Sequence, residues 1–505
     1  MNERGYEMNL AEPILNRATR YPDRIAIRHG SGQLTYSQLT ERVGRIAAGL
    51  RQHCAPQDMI AILSANRVEF AEVFLGAVQA GCVPVLLDTG WTTNQLEGVI
   101  ASCKPKVIFG EGARLEEFRT RHDGILCLTF EDKEQTGTYE PWLASHPPTS
   151  CVDASNELLF VGFTSGTTGV PKGYMRTHLS WLRSFDATEE AFRLESMEHV
   201  LAPGPFVHSL SLFALVQSLY SGATFYVMER FVAQNVMELC SDVRGMVLFV
   251  VPAMIDALLQ HASAVEHSGS IQALISSGGQ WLERSKERCR EVFAGTALYE
   301  YYGSSEASYI SYMDVLREMR PGSLGRPFKG VEISIRNDRF LEVPAGTAGE
   351  LFLRSPMMFK AYHQLPEETA GAFREGWLRT GDYMYVDQDG YLYLAGRVQN
   401  MIKTGGLKVF PEEVEAVLQR IPSIREVMVF GKPDERWGER VTAMIQWHAE
   451  VPEWSLDEIK QVCKQYGLAA YKIPKALVTV RRFAYTSSGK IARQLMKEQA
   501  CSNKG

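Results

Sequence analysis

Thr164-Ser165-Gly166-Thr167-Thr168-Gly169-Val170-Pro171-Lys172-Gly173 is the stretch on which the reading of this chain turns. It follows Leu158-Leu159-Phe160-Val161, an apolar run of the length of a buried strand. Gly166, Gly169 and Gly173 let the backbone bend and approach a ligand closely. The hydroxyls of Thr164, Ser165, Thr167 and Thr168, several backbone N–H groups and the Lys172 ammonium then face one small volume. Donors and a cation on a loop without side-chain bulk make a phosphate cradle. The nearest general pattern is the Walker loop, G-x-x-x-x-G-K-[ST]. Gly166 and Lys172 keep its outer spacing, but Pro171 stands at its second glycine and Gly173 at its Mg²⁺-binding hydroxyl. Pro171 also disfavours a helix running back through Val170. The stretch reads as a phosphate-gripping loop of another kind.

This block resembles the signature of the adenylate-forming superfamily, which holds acyl-CoA synthetases, peptide-synthetase adenylation domains and luciferases. Later stretches resemble the same family in the same order, and the pattern is nearest to bacterial acyl-CoA ligases. The resemblance implies that Thr164, Ser165, Gly166, Thr167, Thr168, Gly169 and Lys172 hold the phosphates of ATP. Ser276-Ser277-Gly278-Gly279-Gln280 resembles the loop that lies along adenine, with Gln280 at a usual Ala. Tyr302-Gly303-Ser304-Ser305-Glu306 resembles Tyr-Gly-x-Thr-Glu. There a tyrosine can stack on a purine, the Ser305 hydroxyl can bond an α-phosphate, and the Glu306 carboxylate can hold Mg²⁺. Glu300 stands where Asn is common. Trp377-Leu378-Arg379-Thr380-Gly381-Asp382 matches the motif whose Asp holds the ribose hydroxyls, chemistry suited to a carboxylate. Arg397 is implied to contact ribose or phosphate. Thr486-Ser487-Ser488-Gly489-Lys490-Ile491-Ala492-Arg493 matches the family's mobile lysine loop, which makes Lys490 the catalytic cation.

The acyl pocket is less sharply marked. By resemblance His208, in Ala202-Pro203-Gly204-Pro205-Phe206-Val207-His208, borders the carboxylate substrate; read by itself it is a hydrogen-bonded structural histidine. No Asp lies in that heptad to pair a substrate ammonium, which disfavours an α-amino acid. Gly278 and Trp281 are the other pocket candidates. Trp281 is either a core or surface tryptophan or, with Gln280, a residue that shortens or reshapes the pocket toward a short, medium or aromatic acid.

The chain has 505 residues, too many for one core. Its composition, 45% hydrophobic and 22% charged, is that of a globular protein. A net charge of -6 without a long basic run gives no electrostatic case for nucleic acid or an anionic membrane. Nine cysteines without a CxxC pair read as reduced thiols, and with an N-terminus lacking a signal-peptide core this leads us to expect a cytoplasmic protein. Leu210 to Met228 is the most membrane-like run, but Ser211, Gln217, Ser218, Ser221 and Gly222 interrupt it, so a buried helix and turn is expected.

The expected fold is α/β. Residues 1–398 form a large N-terminal adenylation domain of layered, mostly parallel sheets with helices, plus a small β-barrel. Residues 399–505 form a small mobile α+β lid. Leu39, Val43, Ile46 and Leu50 share one helix face. Ile60–Leu63, Val83–Leu87 and Lys106–Phe109 read as buried strands, and their alternation with helices argues for a parallel sheet. Short β-like runs with Gly and Pro turns between Gly325 and Asp389 suggest the barrel. In the lid, Pro411 opens a helix with Val414, Val417, Leu418 and Ile421 on one face, and Ser455-Leu456-Asp457-Glu458 is a capping box.

The activity implied is that of an ATP-dependent carboxylate–CoA ligase. A carboxylate attacks the α-phosphate of ATP, pyrophosphate leaves, and the acyl-adenylate is handed to the thiol of CoA. Gln399 falls at the hinge about which the lid turns between steps. Lys403, Gly405 and Gly406 fall in the loop that serves the second step, where glycine leaves room for a thin pantetheine arm. Two alternatives stay open: adenylation followed by loading of a carrier protein in trans, and a non-catalytic nucleotide-binding paralogue.

Overall fold

The computed structural model describes residues 9–122, 124–131, 137–164, 171–194, 197–262, 270–449, 451–485 and 491–502. The chain divides into two compact units. The first holds residues 1–319, 327–331 and 354–378; the second holds 320–326, 332–353 and 379–505.

The first unit is built on two large sheets, each mostly parallel with antiparallel strands at an edge. One runs in the order Ala361–Tyr362, Lys172–Thr177, Leu158–Thr164, Val83–Leu87, Met59–Leu63, Val107–Gly110, Leu126–Thr129. Its last four joints are parallel and its first two antiparallel. The other runs Ser308–Asp314, Ala297–Ser304, Ile271–Ser276, Met246–Val250, His199–Leu201, Thr224–Val227, Ile25–His29, Gly32–Thr35. Helices carry the chain between parallel strands, as parallel pairing requires. The helix Tyr36–His53 starts at a Thr35–Gln38 capping box and buries Leu39, Val43, Ile46 and Leu50, the face read from their spacing. Val68–Gln79 is buried nearly all round and gives way to Gly81 at φ +79°, a conformation in which glycine is unstrained.

The apolar run from Leu210 resolves as a helix, Ser209–Ser221, ended by Gly222 at φ +84°, and a strand, Thr224–Val227, paired in parallel with Ile25–His29. Among the described residues no helix is long and apolar enough to cross a membrane.

His178 starts the helix His178–Phe192 and is buried, its Nδ1 accepting the Leu10 N–H at 3.1 Å. Burial pushes its pKa down to about 4. Between pH 6.5 and 4 the unfolded chain therefore takes up a proton that the folded chain refuses. The stability this neutral imidazole allows is complete above about pH 6.5 and is lost as pH falls toward 4. His178→Asn keeps an acceptor and removes the titration. Its unfolding free energy is expected to fall by about 2–3 kcal/mol less than that of the unaltered chain between pH 7 and 4.5; urea titrations at the two pH values measure the difference.

Glu332–Arg336, Gly349–Arg354, Trp377–Val386 and Leu392–Arg397, most of whose residues fall in the second unit, belong to a five-stranded sheet, the form taken by the region read as a small barrel. A separate sheet runs Leu407–Val409, Ile402–Thr404, Gly438–Trp447, Ile424–Asp434, with Ala476–Thr479 parallel to Gly438–Trp447. The helices Pro411–Leu418 and Leu456–Gln465 cover it, burying Val414, Val417, Leu418, Ile459 and Cys463. The Ser455–Glu458 capping box forms as expected.

Candidate functional site

The stretch read as a phosphate cradle joins two paired strands. Leu158–Thr164 and Lys172–Thr177 pair antiparallel, Thr164 opposite Lys172. Ser165, Gly166, Thr167, Thr168 and Gly169 lie outside the described residues, as does Lys490. A Walker loop leads from a strand into a helix; here Pro171 and Gly173 lead into a second strand, so the departures from that motif have a structural counterpart.

Side chains two residues apart on a strand share a face. Lys172, Tyr174 and Arg176 therefore face the same way, and each reaches a different part of the site. Tyr174 Oη lies 2.7 Å from Ser209 Oγ, which lies 3.3 Å from Ser305 Oγ. The hydroxyl expected to meet an α-phosphate is thus oriented by two others. Arg176 is buried and donates to the carbonyls of Ser305 at 3.2 Å and Met357 at 2.8 Å, and to Ser180 Oγ at 3.2 Å. Burial pushes its pKa down to about 10, which leaves it a cation at neutral pH. The Lys172 ammonium lies 5.9 Å from the centre of the Tyr362 ring, and the Tyr362 hydroxyl donates to Glu306 Oε1 at 3.0 Å.

Tyr302 and Gly303 lie on the strand Ala297–Ser304. A Cβ on Gly303 would stand 2.1 Å from the Ser308 carbonyl oxygen, so no other residue fits there. Gly278 turns at φ +85° with Gly279 beside it, and Gln280 is exposed. Trp281 is a core tryptophan: it packs in the cluster of Leu248, Ile255 and Leu274, and its indole N–H donates to Ser285 at 3.1 Å. Glu300 is buried against Lys286, with 2.7 Å between charged atoms, and it accepts the Trp281 N–H at 3.4 Å. Its carboxylate is committed to the core, which explains an acid at a place where the resemblance leads one to look for an adenine contact. His208 immediately precedes the helix Ser209–Ser221, and its carbonyl accepts the Leu212 N–H at 3.2 Å.

In the second unit, Asp382 and Arg397 face each other across paired strands, Arg397 Nε 3.0 Å from Asp382 Oδ1. Two residues read separately from the sequence thus form one ion pair. Gln399 is exposed in the short 3₁₀ turn Val398–Asn400. Gly405 and Gly406 are the two central residues of a tight hairpin between Ile402–Thr404 and Leu407–Val409, at φ +57° and +79°. Positive φ at both positions is what such a turn demands. Lys403 is exposed at its root. Beyond the lysine loop, Arg493 is clamped by both oxygens of Glu415, at 2.8 and 2.6 Å, and Tyr485 pairs with Ile491 across the loop's base.

Sequence reading missed Tyr174, Arg176, Ser209 and Tyr362. Tyr301 was missed as well; its phenol is hydrogen-bonded to the Ser277 side chain and its ring stands edge-on to Tyr309 at 4.7 Å. The i, i+2 spacing of Lys172, Tyr174 and Arg176 was the one local signal for any of these.

Residues 14–363 match the AMP-binding enzyme family, and residues 413–490 match the AMP-binding enzyme C-terminal domain. The chain is 34% identical to an uncharacterized acyl–CoA ligase, YhfT, of Bacillus subtilis, covering 97% of this chain and 98% of that protein. It is 30% identical to the long-chain-fatty-acid–CoA ligase FadD13 of Mycobacterium tuberculosis, covering 92% and 93%. Among solved structures, the o-succinylbenzoate CoA synthetase MenE of Bacillus subtilis in complex with AMP is 26% identical, with a TM-score of 0.84 over 96% of this chain and 98% of that one.

Proposed function

This chain belongs to the AMP-binding enzyme family, and from that membership we propose that it is an AMP-forming, ATP-dependent acid–CoA ligase. It joins a carboxylic acid to ATP, releases pyrophosphate, and passes the acyl group from AMP to the thiol of CoA. The observation that carries the reading is the hairpin that sets Lys172 over the Tyr362 ring, whose hydroxyl donates to Glu306, and ties its next two same-facing residues, Tyr174 (through Ser209) and Arg176, to Ser305.

A carboxylate and a triphosphate repel, so the first step needs fixed cations and donors where negative charge gathers. In this reading Thr164, Lys172 and the hydroxyls and N–H groups of residues 165–169 take the pyrophosphate end. Ser305 donates to the α-phosphate. Tyr302, with Gly278, Gly279 and Gln280, holds adenine, and Asp382, steadied by Arg397, holds the ribose. Lys490 bridges the attacking carboxylate and the α-phosphate. Mg²⁺ suits a carboxylate such as Glu306, whose Oε1 accepts the Tyr362 hydroxyl. Bound there, it supplies positive charge at the phosphates. His208 and Gly278 border the acid, while Trp281, packed in the core and bonded to Ser285, is left out of the pocket.

For the second step we propose that residues 399–505 turn about Gln399, withdrawing Lys490 and presenting Lys403, Gly405 and Gly406 to the pantetheine arm. One site then serves two chemistries in turn.

The test is pyrophosphate release from Mg-ATP across fatty, aromatic and amino acids, each with and without CoA. Release that one acid triggers, and that turns over repeatedly only with CoA, supports the ligase. Turnover that needs a holo carrier protein instead moves the acceptor from CoA to that protein. Silence with every acid, together with tight ATP binding, overturns the enzymatic reading.

A further inference from the structure

We propose that Tyr362 is a positioning residue for the adenylation step: its hydroxyl fixes one carboxylate oxygen of Glu306 while its ring face seats the Lys172 ammonium. The inference rests on the reading above, in which Glu306 meets the metal and Lys172 the phosphates.

The segment 357–363 straps two parts of the site together. On one side Ala361–Tyr362 pairs antiparallel with the cradle strand, Tyr362 opposite Tyr174. Backbone bonds from Lys360 N to Met175 O at 2.9 Å and from His363 N to Gly173 O at 2.7 Å hold that side. On the other side Phe359 N donates to the Glu306 carbonyl at 2.6 Å, and Arg176 spans from Met357 O to Ser305 O. Tyr362 itself is held from several directions. Its N–H donates to Thr369 Oγ1 at 3.0 Å, and Phe359 stands edge-on to its ring at 4.9 Å while stacking on Phe373 at 5.7 Å. A ring so packed loses little further freedom when it makes its polar contacts.

Those contacts reach both charges of the site. The phenol is a neutral donor at working pH, and it donates to Oε1 of Glu306. The last torsion of a glutamate is soft, so without that bond the carboxylate is free to turn. With it, Oε2 is left in one place. The same ring lies 5.9 Å beneath the Lys172 ammonium, at the edge of cation–π range, where it attracts the cation without neutralising it as a carboxylate would. One side chain thereby sets the spacing between the metal-binding carboxylate and the phosphate-binding lysine.

Tyr362→Phe deletes one oxygen and leaves the ring packing in place. Mn²⁺ serves as the probe, with saturating α,β-methylene-ATP, and free Mn²⁺ is read by electron paramagnetic resonance. Mn²⁺ affinity is expected to fall about tenfold, the scale of a hydrogen bond to a charged group. In acid-dependent ATP–pyrophosphate exchange the half-saturating Mg²⁺ concentration is expected to rise about as much, with the KM for the acid unchanged. Tyr362→Leu also removes the ring and is expected to raise the KM for ATP. In a Glu306→Gln background Tyr362→Phe should add nothing, which keeps the test valid if either variant alone is less stable. Unchanged Mn²⁺ affinity in a folded Tyr362→Phe protein overturns the proposal, and so does a loss shared equally by metal, nucleotide and acid. If the unaltered chain catalyses no exchange with any acid but the Mn²⁺ result holds, the adenylation reading fails and only the placement of Glu306 for the metal by Tyr362 stands.

Discussion

Lys490→Ala is expected to slow adenylate formation by about 10²–10³-fold, the loss that follows removal of one preorganised contact to developing charge. Thioester formation from acyl-adenylate supplied ready-made is expected to stay largely intact. The asymmetry follows from the proposed division of labour: the ammonium is needed where carboxylate and α-phosphate meet, and withdraws before the thiol attacks. The structure fixes the loop's two roots and so limits what the substitution disturbs. Tyr485 and Ile491 pair across its base, the Tyr485 hydroxyl donates to Glu426, and Arg493 is clamped by Glu415. Alanine at position 490 should therefore leave the fold of the second unit unchanged. The two half-reactions are measured apart, as acid-dependent ATP–pyrophosphate exchange and as CoA thioester formed from synthetic acyl-adenylate. Equal loss in both assays contradicts the assignment. Lys490→Arg, which keeps charge but changes its shape, should recover only part of the first step.

The converse is expected of Gly406→Leu. Thioester formation should fall by about 10²-fold or more while pyrophosphate exchange survives, since a near-attack geometry lost by about an ångström costs that much. The hairpin geometry refines the reason. Gly406 sits at φ +79° with nothing among the described residues within 4 Å of where a Cβ would stand, so the start of a side chain is not crowded there. Bulk acts on whatever passes the turn, and a left-handed backbone adds strain of about 1–2 kcal/mol for any L side chain. Gly406→Ala separates the two. It carries the strain without the bulk, and should keep most of the thioester activity if obstruction of the pantetheine arm is what counts. If pyrophosphate exchange dies with the leucine variant as well, the loop is not specific to the second step.

Much of this protein was legible in its sequence where neighbours along the chain set the physics. The cradle could be told from a Walker loop because Pro171 stands at that motif's second glycine and Gly173 at its hydroxyl, and a strand follows. The helix faces of Tyr36–His53 and Pro411–Leu418 were readable from spacing, and the Ser455–Glu458 cap from two residues. The glycines at 405 and 406 were noticed for the room they leave; the turn that requires them is equally local and could have been read from the Gly-Gly pair between two short strands. Trp281 and Glu300 show the limit. Both lie in the adenine region of the sequence, and both turn inward, the tryptophan to Ser285 and the acid to Lys286.

The sequence by itself determined the family, from motifs that follow one another between Thr164 and Arg493, and the helix faces and caps, because each rests on residues a few positions apart. Only the tertiary structure decided which side chains hold those motifs in place. Tyr362 reaches Glu306 across 56 residues, and Arg176 reaches Met357 across 181. Such pairs are made by which strand lies beside which, and strand order leaves no periodic trace in the strands themselves. Sheet pairing exchanges backbone hydrogen bonds that every residue but proline can make, so the partner is chosen by the packing of the whole unit.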